Sequence, residues 1–177
     1  MAEYRLTSSQ LKEYAPQLKC GDRVLLSGTV YTARDAAHKR IVAMMADKQP
    51  LPFEIDGASI YYAGPTPAPE GLPIGSCGPT TSSRMDPYAP LLLDNGLVAM
   101  IGKGPRNREV VDALVRNKAV YLCAIGGAGA LAAQCITSCE VIAFEDLGCE
   151  SVKRLEFCDF PLIVGIDSQG GSLFSKQ

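Results

Sequence analysis

Three cationic side chains stand in settings suited to an anion. Arg34 and the only histidine, His38, lie four residues apart in TARDAAHKR, residues 32–40. If Thr32 caps a helix here, Arg34 falls in its first turn, beside free backbone N–H groups that favour an anion. Its planar guanidinium also matches a carboxylate in a bidentate fork. In GSCGPTTSSRM, residues 75–85, two glycines and a proline precede four hydroxyls and Arg84. Hydroxyls such as that of Thr80 can position a substrate or relay a proton, and Arg84 can clamp an acid group. Lys103 stands between Gly102 and Gly104, directly after the apolar run Leu97–Ile101. Glycines there let a ligand approach the backbone, and the lysine adds a point charge.

Each motif taken alone also has a plain reading. Arg34, Lys39 and Arg40 suit a solvent-facing helix surface, with His38 bordering the apolar stripe. Turn hydroxyls commonly bond their own backbone, and Lys103 fits a cationic strand-end turn. The lysine turn is not a phosphate-binding loop, because Gly104 stands where the magnesium-binding Ser or Thr belongs. Gly127 to Ala132 reads G-x-G-x-x-A, a weak dinucleotide pattern that close helix–sheet packing explains equally well. The seven cysteines, among them Cys77 in the hydroxyl loop, form no CxxC pair. One histidine adds little toward a zinc site, so no metal site is expected within this chain. Taken together, Arg34, Arg84 and Lys103 suit a small diacid, but a strong electrophile and an acid–base carboxylate are missing.

The elements that must carry these residues alternate in type. Strand patterns cover Asp22–Tyr31, Ala58–Ala63, Leu97–Ile101, Ala119–Ile125, Cys139–Phe144, Lys153–Phe157 and Leu162–Ile166. Helical spacing covers Ala33–Lys48, with shorter helices at Tyr88–Asn95 and Gly126–Cys135. Asn107–Asn117 turns Val110, Val111, Leu114 and Val115 to one face, as an amphipathic helix does. A short helix near residues 7–14 lies in what reads as an N-terminal extension, residues 1–20, ahead of one domain spanning 21–177. The proline-rich Gly64–Pro73 reads as a hinge or pocket wall. The expected fold class is α/β.

Composition narrows the class further. The chain has 177 residues, of which 47% are apolar, and a formal net charge of -2. That balance argues against nucleic-acid binding, which needs a strongly basic surface. No apolar run is long enough for a membrane span, and the N-terminus has no signal-peptide pattern, so a cytoplasmic location with reduced thiols is expected.

Together, YTARDAAHKR, YYAGPTPAP, GSCGPTTSSRMDPY and IGKG closely resemble the beta-type subunit, or C-terminal domain, of the iron–sulfur hydro-lyases: class I fumarate hydratase and L(+)-tartrate dehydratase. The resemblance runs from Gly21 through Phe174. It implies a swivelling β/β/α domain and an alpha-type partner, in an assembly of two alpha and two beta chains. The partner's three cysteines hold a [4Fe–4S] cluster whose open iron acts as a Lewis acid on the substrate hydroxyl. Arg34, Arg84 and Lys103 map to groups that grip the substrate carboxylates. Thr80 maps to a proton-transfer residue acting with a partner aspartate, and His38 to the histidine of the family's ARDAAHKR motif, placed in the catalytic set. The implied reaction is reversible dehydration of (S)-malate to fumarate, the chain being silent alone. Tartrate dehydration, or a non-catalytic anion- or partner-binding module, are the alternatives.

Overall fold

The structure, a computed structural model, describes residues 1–124 and 129–175. Seven strands make one mixed sheet: β1 (Glu3–Thr7), β2 (Arg23–Thr32), β3 (Ser59–Tyr61), β4 (Ala99–Gly102), β5 (Val120–Cys123), β6 (Ile136–Ala143) and β7 (Val152–Ile166). Strands β2 to β5 run parallel, and β7 runs antiparallel to both β2 and β5. Because β7 bonds at once to the first and last of that parallel set, β2, β3, β4, β5 and β7 close into a small barrel. Strand β1 adds in parallel to the first half of β2, and β6 adds antiparallel to the first half of β7.

Alternation along the strands serves two cores. Val24, Leu26, Val30, Tyr61, Ile101, Leu122, Leu155 and Val164 fill the ring. The opposite-facing Ile60, Tyr62, Met100 and Tyr121 pack against helices α2 (Asp35–Ala46), α3 (Ala89–Asp94) and α4 (Arg108–Asn117). A period of two on the strands thus meets a period of 3.6 on the helices. Helix α4 illustrates the local logic. The Asn107 side chain accepts from the Val110 N–H at 3.0 Å, Val110, Ala113 and Leu114 face inward, and Lys118 ends the helix in the left-handed region (φ 52°).

Several elements depart from the sequence reading. Thr32 does not cap α2: it is the last residue of β2, and its buried hydroxyl accepts from the Lys153 N–H at 3.1 Å. The helix starts at Asp35, with Arg34 in the capping position. The residues read as an extension carry β1 and a short helix α1 (Leu11–Tyr14), and Leu6, Leu11, Ala15 and Leu18 are buried in the barrel-side core. The two strands expected at 153–157 and 162–166 are one, kinked where Asp159 takes φ 51° and the pairing with β2 slips between Leu26 and Gly28. Helix α5 (Gly129–Gln134) covers only part of the expected one. The Gly127 and Ala128 end of the G-x-G-x-x-A pattern lies outside the described residues.

A candidate anion site at the strand ends

Arg34, Thr80, Arg84 and Lys103 all occupy loops that leave the carboxyl ends of adjacent parallel strands. Arg34 is two residues past β2, the long 62–81 loop leaves β3, and Lys103 immediately follows β4. In open parallel sheets this rim is where ligands bind, since the strands end there and the loops are free to diverge. Here the loops are stitched together. Thr80 N donates to the Tyr62 carbonyl at 2.8 Å, Tyr62 N to the Ile101 carbonyl at 2.8 Å, and Ser82 N to the Lys103 carbonyl at 3.1 Å. Ser82 Oγ in turn accepts from Lys103 N at 2.9 Å. Gly102 is required by this approach: a methyl there would overlap Ser82 Oγ and come within 2.9 Å of Tyr62 Cδ2.

Arg84 sits in a 3-10 turn, Ser82–Met85, exposed and with no ion pair among the described residues; Lys103 is likewise exposed. Thr80 is half-buried. Arg34 packs against Gly64, and its Nε lies 3.6 Å from the Glu150 carboxylate, beyond hydrogen-bond reach. That Nε is buried without a hydrogen-bond partner. A buried donor left open this way is an expense to the fold unless something else accepts from it.

His38 is not at the surface. It is fully enclosed, with Nδ1 2.8 Å from the Arg34 carbonyl, its ring edge-on to Tyr62 and stacked near Tyr88. Burial lowers its pKa to about 4, the Arg34 carbonyl opposing and the Arg106 charge assisting. The ring is therefore neutral at physiological pH, and it holds the backbone from which Arg34 projects. Cys77 is also enclosed, its thiol pushed up to about 12 by burial, so it is a packed apolar group rather than a nucleophile.

Beneath the rim lies a network that the sequence did not reveal. Arg106, its side chain wholly buried, donates from Nε to Asp86 Oδ1 at 2.6 Å and from Nη2 to the Tyr62 hydroxyl at 3.3 Å. Its guanidinium carbon lies 5.2 Å and 5.0 Å from the ring centroids of Tyr62 and Tyr121, in cation–π range. Asp86 Oδ2 accepts from Asn107 N at 2.9 Å, fixing the start of α4. The Tyr121 hydroxyl is 2.9 Å from both Ser82 Oγ and the Gly104 carbonyl. Arg106 thereby ties the two loops that present Arg84 and Lys103. The signal available in the sequence is Tyr62 and Tyr121, each in an apolar run, whose hydroxyls need partners once buried.

The model of the fumarase C-terminus family matches residues 2–177. The chain belongs to the fumarase C-terminus family. Fumarate hydratase 2 of Leishmania major is 40% identical over 94% of this chain, which covers 30% of that protein. The anaerobic class I fumarate hydratase of Escherichia coli K12 is 39% identical over 94% of the chain, covering 31% of that protein. The chain thus spans about a third of the length of the curated fumarate hydratases it matches. A Methanocaldococcus jannaschii protein named "Putative L(+)-tartrate dehydratase subunit beta" is 37% identical over 97% of the chain and 89% of that protein. The relatives' names are those of hydratases and of a dehydratase subunit.

Proposed function

We propose that this chain is the beta-type component of a cytoplasmic hydro-lyase acting on a small dicarboxylate, with (S)-malate and fumarate as the leading pair. The observation that carries the reading is the shared rim: one cationic loop from each of β2, β3 and β4, joined by backbone hydrogen bonds. In this reading Arg34 and Arg84 clamp the carboxylates with charge-assisted bonds, and Lys103 adds positive charge where the carbanion character develops. Thr80 handles the proton at the carbon next to the leaving hydroxyl, together with an acid–base group from the partner. His38 acts as a positioning residue, through the Arg34 carbonyl.

A [4Fe–4S] cluster does not fit the donors here. Among the described residues no three His, Cys, Asp or Glu side chains gather as a metal site. The cluster, and the Lewis-acid chemistry it supplies, are assigned to an alpha-type partner in a complex of two alpha and two beta chains, and the swivelling of this domain to that assembly. The tartrate alternative is favoured by one observation: the relative this chain matches nearly end to end carries a tartrate dehydratase name. Anaerobic co-expression with an alpha-type partner, cluster reconstitution, and parallel assays on malate, fumarate and both tartrate stereoisomers test the proposal. Turnover of malate and fumarate is expected. Tartrate turnover alone replaces the substrate, and silence toward all four from an intact loaded complex rejects the enzyme in favour of a binding module.

A further inference from the structure

Two cysteines meet just beyond the end of the β6–β7 ladder, Cys135 in the turn after α5, where its own N–H donates to the Ala132 carbonyl at 3.0 Å, and Cys158 in β7. Ile136 pairs with Phe157, and one step outward the Cys158 N–H donates to the Cys135 carbonyl at 2.7 Å. One backbone N–H···O bond between neighbouring segments holds the two Cα atoms near the spacing of a hydrogen-bonded antiparallel pair, about 5.5 Å. A disulfide spans Cα separations of about 4.4–6.8 Å. Cys158 is exposed and Cys135 half-buried, and both are free thiols. Nearby charge is part of what Cys135 feels: its thiol is raised by burial first, then by Cys158 and Asp159. The exposed member is thus the point of entry, and the sheltered one lies within reach behind it.

We infer that Cys135 and Cys158 are a redox pair that closes to a disulfide, joining the turn after α5 to β7, by exchange with a low-molecular-weight disulfide. The Cys158 thiolate attacks one sulfur of the small disulfide, forming a mixed disulfide and releasing one small thiolate. The Cys135 thiol then loses its proton to water, and its sulfur attacks that of Cys158. The second small thiolate leaves, so two protein thiols are oxidised while one small disulfide is reduced to two thiols. The backbone bond between the two residues makes the second step intramolecular, at an effective concentration far above that of competing thiols.

The bond would also reach the rim. Cys135 directly follows α5, whose first residue, Gly129, accepts from Cys77 N at 3.1 Å and packs on Gly78. These two residues begin the run that leads to Thr80. Closing the bridge fixes the far end of α5 to β7, so oxidation limits how far that loop can shift.

Incubating the purified full chain with glutathione disulfide, then quenching with acid and measuring intact mass and peptide maps without reductant, tests the pair. Wild type is expected to lose two hydrogens and yield a Cys135–Cys158 linked peptide. The C135S variant should stall with glutathione on Cys158, at least about tenfold more adduct than wild type retains, because the resolving thiol is gone. The C158S variant should form no internal bridge. Equal adduct on wild type and C135S, unreacted thiols at both positions, or a bridge joining another pair would each overturn the inference. Because this readout needs neither partner nor substrate, it stands or falls separately from the proposed activity.

Discussion

Replacing Asp86 with alanine probes the buried network directly. The carboxylate accepts from Arg106 Nε at 2.6 Å and from Asn107 N at 2.9 Å, and the Arg106 side chain has no exposed surface. Truncation leaves a guanidinium without a counter-charge and a helix-entry N–H without an acceptor. Removing one partner of a buried pair typically destabilises by about 3–5 kcal/mol, a large share of the ~5–15 kcal/mol that holds a domain folded. For a chain of this length the midpoint should fall by about 6–20 °C. The tyrosine rings and the Met100 sulfur, 3.7 Å from Arg106 Nη1, retain some of the charge stabilisation and argue for the lower half of that range. Circular dichroism during urea and thermal unfolding measures it, the chain having no tryptophan to report by fluorescence. The apolar double variant D86L/R106M should lose less than D86A, since a well-packed pair of similar volume replaces the ion pair without orphaning a charge. A D86A loss below about 1 kcal/mol, or single-variant losses that simply add, would refute the account of Arg106 as a coupled, charge-dependent tie.

Other perturbations read different parts of the rim. Gly102→Ala should destabilise by about 1–3 kcal/mol through overpacking against Ser82 and Tyr62, and adding Ser82→Ala should recover part of it; equal unfolding midpoints for G102A and wild type would contradict the close approach. His38 has a folded pKa of about 4 against an ordinary value of 6.5. Its neutral burial contributes fully above pH 6.5, and that contribution is lost as pH falls toward 4, by about 3 kcal/mol in total. An H38Q variant should therefore show a flatter stability profile between pH 7 and pH 4.5 in denaturant titrations. Arg84→Ala, at an exposed position without an ion-pair partner among the described residues, should leave stability within about 0.5 kcal/mol of wild type. In the reconstituted complex it should lower kcat/KM by about 10- to 150-fold, the equivalent of about 1.5–3 kcal/mol for a charge-assisted carboxylate bond.

Local signals carried well from sequence to structure, and long-range ones did not. Asn107, the apolar face of α4 and its end near Asn117 are written within eleven consecutive residues, and the helix forms there. Lys103 could be placed in a turn after a strand because it follows the apolar run Leu97–Ile101, whereas Arg34, read into the first turn of a helix, stands in the capping position instead. Barrel closure was invisible, since it depends on β7 meeting β2 across more than a hundred residues of chain, Arg23 opposite Ile163. Pro161 and Asp159 made β7 look like two pieces, though a bulged strand tolerates both. Strand β1 shows one buried side chain, Leu6, and so too little alternation to be read as part of a sheet. Asp86 and Arg106 stand twenty residues apart in polar loops, with no local pattern that pairs them. Only the tertiary fold gives each the other as its reason for being buried.

The strand that seals the ring is also the last one written in this sequence. Until Val152–Ile166 has left the ribosome, β2 and β5 each keep a bare edge, and neither half of the barrel can mature by local contacts alone. Synthesis therefore passes through a long interval in which apolar, hydrogen-bond-hungry edges face other chains. Recombinant yield should respond more to chaperone supply and to slowed translation than to substitutions at the rim.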